Sequence, residues 1–175
     1  MTRKSLFLAF LALFTLLCDP SQAQETGQSA VPEAFHATAL PLPRFVSLQA
    51  SEVYVRTGPG AKYPIEWIYK RAGLPVEIIL EYEVWRKIRD IKGDTGWVHQ
   101  TLLSGQRRGV LIGEDIIDVR QKPRDDARAT ARIEPGAMFD LQECQAQWCK
   151  IEAEGYDGWI QREHIWGAYR DENFD

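Results

Sequence analysis

The sequence predicts an all-β protein built from two tandem units of about 60 residues each. Three observations carry that expectation. Val55-Arg56-Thr57-Gly58-Pro59, Gly73, Trp85-Arg86-Lys87-Ile88 and Gly96-Trp97-Val98 return in the same order as Val119-Arg120-Gln121-Lys122-Pro123, Gly136, Trp148-Cys149-Lys150-Ile151 and Gly158-Trp159-Ile160. A repeat of this kind defines the structural unit before any other reading. The segments between these motifs are short and rich in β-branched and aromatic residues, as strands are. Gly and Pro turn signals such as Thr57-Gly58-Pro59-Gly60 separate them. Short strands at this spacing suggest small barrels or sandwiches.

The chain opens with Arg3 and Lys4, an apolar run from Leu6 to Leu17 broken only by Thr15, and the small-residue site Ser21-Gln22-Ala23. That order reads as a cleaved signal peptide over residues 1–23, too short to be a membrane span. Leu17 before Cys18 argues against a lipidation site. Residues 24–43 are rich in Gln, Ala, Ser, Thr and Pro and read as a flexible, mostly disordered tether that can order at its end. No later apolar run is long enough to span a bilayer, so the exported chain is expected to be soluble.

The first unit, residues 44–105, reads as strands at Phe45–Leu48, Val53–Val55, Ile65–Tyr69, Val76–Tyr82, Trp85–Ile91 and Gly96–His99. A single turn at Thr101–Leu103 closes it. The second unit, residues 106–167, repeats the plan with strands at Val110–Ile112, Ile116–Val119, Ala137–Glu143, Trp148–Ala153 and Gly158–Gln161. Gly105 to Gly109 is the short connection between them. A short connection keeps neighbouring elements adjacent, so the units are expected to pack together. Residues 168–175 read as a frayed acidic tail.

Val-Arg-x-Gly-Pro, a mid-unit Gly, Trp-x-Lys-Ile and Gly-Trp-Val, in this order and twice over, resemble the bacterial Src homology 3-like domain. The second unit departs at Lys122-Pro123, where the family has Gly-Pro. The resemblance covers roughly residues 46–166. It implies a five-stranded barrel per unit, hence two tandem small Src homology 3-like barrels, and a role in the cell envelope. It implies no reaction.

Strand side chains alternate between faces. If Val55, Ile88 and Val98 point inward, Tyr54, Arg56, Trp85 and Trp97 stand on the outer side. The same parity places Asp118, Arg120, Trp148 and Trp159 together in the second unit. Outer aromatics with an arginine can hold a peptide or a sugar by stacking, and Tyr54, Arg56, Trp85 and Trp97 are the candidate ligand-binding residues. The alternative is that these tryptophans only cover the barrel or pack against the other unit. The formal net charge of −4 becomes −5 once Arg3, Lys4 and Asp19 leave with the leader. That balance argues against nucleic acid, which needs a basic face. Residues 44–105 sum to +2 and residues 106–175 to −5, so the units are not functional duplicates. The basic, more aromatic first unit is the expected binder.

Cys144 and Cys149 flank a hairpin turn and, after export, sit in an oxidising compartment. A disulfide is expected there. Their counterparts in the first unit, Glu81 and Arg86, offer a cross-strand ion pair at the same place. A cysteine peptidase using Cys149 and His164 lacks a helix N-terminus to activate the thiol. A zinc site from Cys144, Cys149 and His164 lacks an evident fourth ligand. No metal and no cofactor are expected, and no phosphate loop or Ser-His-Asp order stands out. The expectation is therefore a periplasmic or secreted, non-enzymatic protein of the bacterial envelope. Its partner would be peptidoglycan or an envelope protein, recognised as a peptide-like ligand. The rival is a structural or assembly subunit whose outer tryptophans a partner buries.

Overall fold

Fourteen strands over two antiparallel sheets make up the described part of the chain. The computed structural model describes residues 37–175; the leader and residues 24–36 of the tether lie outside them. In the first unit the strands are β1 (Arg44–Leu48), β2 (Val53–Arg56), β3 (Ile65–Tyr69), β4 (Pro75–Tyr82), β5 (Trp85–Arg89), β6 (Thr95–His99) and β7 (Leu103–Ser104). In the second they are β8 (Arg108–Leu111), β9 (Ile117–Arg120), β10 (Ala129–Ile133), β11 (Met138–Gln145), β12 (Trp148–Ala153), β13 (Tyr156–Gln161) and β14 (Ile165–Trp166). The sheet orders are β3-β2-β6-β5-β4-β1-β7 and β10-β9-β13-β12-β11-β8-β14, the same topology twice. The protein is all-β, with two tandem units of one topology, as the repeat predicts.

Each sheet holds seven strands where the resemblance implies five. The two-residue strands β7 and β14 follow single 3₁₀ turns at Gln100–Leu102 and Arg162–His164 and close each unit against its first strand. Strand β10 has no counterpart in the sequence reading. Its Ala-Thr-Ala-Arg-Ile run carries little β-branched or aromatic signal, and pairing with β9 makes it a strand.

The repeated motifs have local physical causes. Gly73 and Gly136 both hold φ +80, a left-handed backbone open to glycine at little cost. Gly96 and Gly158 sit where β6 and β13 cross β2 and β9. A Cβ there would lie 2.3 Å from Val55 Cγ1 in one unit and 2.6 Å from Val119 Cγ1 in the other. Parity holds as predicted: Val53, Val55, Ile88 and Val98 join Leu48, Val76 and Ile78 in the first core. The second core gathers Leu111, Val119, Phe139, Leu141, Ile151 and Ile160 around Cys144 and Cys149.

The units pack against each other. Phe45 meets the edge of Trp166 at 5.0 Å and lies 4.7 Å from the ring of Tyr169. Trp166 Nε1 donates to the Pro75 carbonyl at 3.2 Å, and Tyr169 Oη donates to Glu77 Oε1 at 2.6 Å. Glu77 is buried and also accepts from Arg89 Nε at 2.8 Å. Burial and this hydrogen bond raise the Tyr169 phenol above its ordinary value.

The expectation of a frayed tail needs correction. The tail is not frayed: Phe174 and Cys144 exchange backbone hydrogen bonds of 2.8 and 3.1 Å, and Glu172 takes both Nη groups of Arg107 at 2.6 and 2.8 Å. The end of the tether is ordered too, because Thr38 donates to Glu81 through its backbone N at 2.7 Å and through its hydroxyl. Composition marked both segments as polar, but each carries groups that fit a buried partner on the barrel it follows or precedes.

Candidate functional site

The predicted outer face of the first unit is real as a face. Register sets Trp85 between Tyr82 and His99, and sets Trp97 between Lys87 and Arg56. Tyr54 lies opposite Ile68 on β3. Residues opposed across antiparallel strands share a side, so all four predicted residues stand opposite Val55, Ile88 and Val98.

They are not equally open. Tyr54 and Tyr82 are each 40% exposed, and Trp85 is half-buried with its ring edge-on to His99 at 5.4 Å. Trp97, expected to stand open, is only 8% exposed. Strand β6 lies between β2 and β5, so side chains from both neighbours, Arg56 and Lys87, flank that indole. Arg56 is also engaged: its Nη1 donates to the Tyr63 carbonyl at 2.7 Å, holding down the loop between β2 and β3. Arg120 repeats the bond to Ala127 at 2.8 Å. The arginine of the Val-Arg motif therefore braces a loop in both units, a role that spacing alone did not reveal.

The matching face of the second unit is concave. A cleft of about 440 Å³ is lined by Asp118, Arg132, Trp148, Gln161 and His164, with Arg120 and Asp125 beside them. Trp148, Gln161 and Asp118 are the counterparts of Trp85, His99 and Tyr54. Arg132 Nε bonds Asp118 Oδ1 at 3.1 Å, and Gln161 Nε2 donates to Asp125 Oδ1 at 2.7 Å. The apolar Tyr54–Ile68 pair of one unit is thus an ion pair in the other. Asp118 and Trp148 were legible from parity. Arg132 was not, because β10 escaped the reading.

Cys144 and Cys149 face each other in register and are joined as a disulfide. Neither sulfur is then a thiolate, which a peptidase nucleophile or a zinc ligand must be. In the first unit Arg86 Nε lies 3.2 Å from Glu81 Oε1, and the pair is buried, not exposed. Arg44 also binds Glu81, and Arg86 Nη2 donates to Gln100 Oε1 at 2.6 Å. Burial works to raise the Glu81 carboxyl. Hydrogen bonds from Arg44 and Thr38, with the Arg44 and Arg86 charges, outweigh it and hold the group below its ordinary value. Among the described residues no helix is long and apolar enough to cross a membrane.

The family described as bacterial SH3 domain matches residues 49–105 and 113–167, one match per unit. No curated protein matches the chain. Among solved structures, it is similar to NlpC2 from Trichomonas vaginalis at 11% identity and a TM-score of 0.35, over 78% of this chain and 51% of that one. NlpC1 from the same organism is similar at 12% identity and 0.33, over 79% and 51%. An NlpC/P60 family protein from Bacillus cereus ATCC 10987 follows at 10% and 0.32, over 69% and 55%. The chain thus spans about half the length of each of these proteins.

Proposed function

Because this chain belongs to the bacterial SH3 domain family, we propose that it is an exported, non-catalytic binding protein of the cell envelope. It recognises a peptide-like ligand, either a peptidoglycan stem or a protein segment. The observation that carries the reading is the repeated outer face, which presents a half-buried tryptophan, Trp85 or Trp148, beside polar strand neighbours in both units. Such an indole offers a flat apolar surface for stacking, and the groups around it offer hydrogen bonds. In the first unit Tyr54, Tyr82 and His99 accompany Trp85. In the second the cleft around Trp148 adds the enclosure that small ligands favour. The disulfide supports export, since thiols stay reduced in the cytosol of most bacteria.

A pull-down of the mature protein on purified cell wall tests the reading. The protein should sediment with the wall, and Trp85→Ala or Trp148→Ala should weaken retention. Unchanged retention in both variants would overturn it, and none in the parent would rule out the peptidoglycan stem. The burial of Trp97 favours a second reading, an assembly subunit whose tryptophans serve packing. Under that reading both variants lose a partner protein while wall retention is absent.

A further inference from the structure

In the first unit one carboxylate serves two guanidinium groups. Glu81 binds Arg44 on β1 and Arg86 on β5. The second unit also brings two guanidinium groups to this end but loses the carboxylate, and Cys149 stands in the place of Arg86. Arg107 stands at the position of Arg44, Arg162 stands at the position of Gln100, whose side chain meets Arg86, and Cys144 stands at the position of Glu81. Arg107 obtains a carboxylate from the tail residue Glu172. Arg162 is in an ion pair with none of the described carboxylates. Its Nη1 donates to the carbonyls of Tyr169 at 3.0 Å and Arg170 at 2.7 Å. Its Nε and Nη2 are buried and have no hydrogen-bond partner among the described residues, although the residue is only 5% exposed.

Those two nitrogens form one edge of the guanidinium. Their N–H bonds run parallel, and that edge matches the two oxygens of a carboxylate. Arg89 turns the same two nitrogens to Glu77, both onto Oε2. Leaving such donors unpaired in the interior carries their full desolvation penalty. Burial pulls Arg162 below the ordinary arginine value, with Glu172 and Asp171 acting against that pull. Arg162 lines a cleft of about 350 Å³ together with Gln147, Gln161, Glu163 and the exposed Arg170.

We propose that this cleft is a carboxylate-binding site, in which Nε and Nη2 of Arg162 grip one carboxylate side-on and Arg170 adds a second cation at the mouth. Both gripping nitrogens are covered, so a carboxylate reaches them as the side chains lining the cleft part. Gln147 and Gln161 are placed to take amide groups next to the carboxylate. The ligand is the carboxylate end of a short peptide or an acidic side chain. The site is separate from the outer-face tryptophans of the first unit and stands or falls independently of wall retention.

The experiment follows the Nε–H resonance of Arg162 by NMR in the full mature chain during titration with acetyl-Ala-Ala, its C-terminal amide, and the amide of acetyl-Glu. A saturable downfield shift with acetyl-Ala-Ala and none with its amide is the expected result. An equal response to acetyl-Glu amide assigns the site to carboxylates in general, and no response to it assigns the site to peptide C-termini. Arg170→Gln should weaken binding roughly two- to fivefold, the range for one exposed charge. Arg162→Lys, which keeps the charge and loses the fork, should abolish the shift. Should that variant fail to fold, the Arg170→Gln titration decides. No shift with acetyl-Ala-Ala, or the same shift with its amide, overturns the proposal. So does an upfield move of the ligand-free Arg162 resonance in Glu163→Gln, which would show that the chain fills the site with its own carboxylate.

Discussion

Glu81 and Arg86 face each other across the β4–β5 hairpin at the positions that Cys144 and Cys149 hold on β11–β12. The same register lock is built once from charge and once from a covalent bond. Both hairpins turn through a residue with φ 48, Glu83 in one and Ala146 in the other. The segments flanking the two units meet these locks: Thr38 hydrogen-bonds Glu81, and Phe174 pairs with Cys144.

The ionic lock is sensitive to acid. The Glu81 carboxyl is depressed in the fold, so it contributes stability above the ordinary carboxylate value of about 4.5, and that contribution is lost as pH falls through the folded value. Glu172 is depressed in the same direction; burial opposes the shift, and the hydrogen bonds from Arg107 and the Tyr169 backbone, with the Arg107 and Arg162 charges, together outweigh it. Thermal melts should therefore drop steeply below about pH 4.5. Glu81→Gln should cost ~3–5 kcal/mol at pH 7, because it leaves buried guanidinium charge uncompensated. The variant should also show a shallower acid limb. An unaltered acid limb would mean that other carboxylates govern the transition.

The covalent lock should resist labelling. Protein purified without reductant is expected to show no reactive thiol after unfolding. Cys144→Ser with Cys149→Ser should lower stability by roughly 2 kcal/mol, the entropic value for so short a loop. Amide exchange at Phe174, whose N–H bonds the Cys144 carbonyl, should accelerate in that variant. Two free thiols in the parent would refute the pairing in solution.

The two outer-face tryptophans of the first unit, Trp85 and Trp97, should separate by burial. Trp97→Ala is expected to cost about 3 kcal/mol or more, as large buried truncations do. Trp85→Ala should cost far less stability and weaken ligand retention by about 1 kcal/mol or more, the scale of an aromatic hot spot. Chemical denaturation of both variants, beside the wall pull-down, checks the pair. If Trp85→Ala proves as destabilising as Trp97→Ala, the ring is structural and the ligand reading of that face fails.

Tyr169 joins the tail to the first unit. Tyr169→Phe removes one of the bonds to buried Glu77 and should cost about 1–3 kcal/mol. Deleting residues 168–175 should loosen the pair of units further and raise the radius of gyration in solution scattering. An unchanged scattering curve would mean that Phe45 and Trp166 suffice to hold them together.

Gly73 meets two constraints at once. It has φ +80, and a Cβ there would lie 2.1 Å from Nη1 of Arg108 in the second unit. Gly73→Ala should lose about 1–2 kcal/mol for the backbone alone. Gly136→Ala, with the same φ and open space where a Cβ would stand, should lose only that backbone share. Denaturant midpoints of the two variants give the comparison.

Motif order, alternation and turn residues determined the repeat, the strands β3 and β6, and the side of the sheet on which Tyr54, Arg56, Trp85 and Trp97 stand. These are short-range properties, since a period of two and a glycine requirement can be read within a few residues. The hairpin spacing likewise placed Cys144 opposite Cys149 and Glu81 opposite Arg86. The tertiary structure decided what each position faces at long range. It buried Trp97 between Arg56 and Lys87, made a strand of Ala129–Ile133, and folded the polar tail onto Cys144 and Arg107. It also placed Arg162 beside the tail with an unpaired guanidinium edge. Burial and pairing of this kind depend on groups distant in sequence and on the cost of leaving charge unpartnered in the interior. No periodicity in the chain records them.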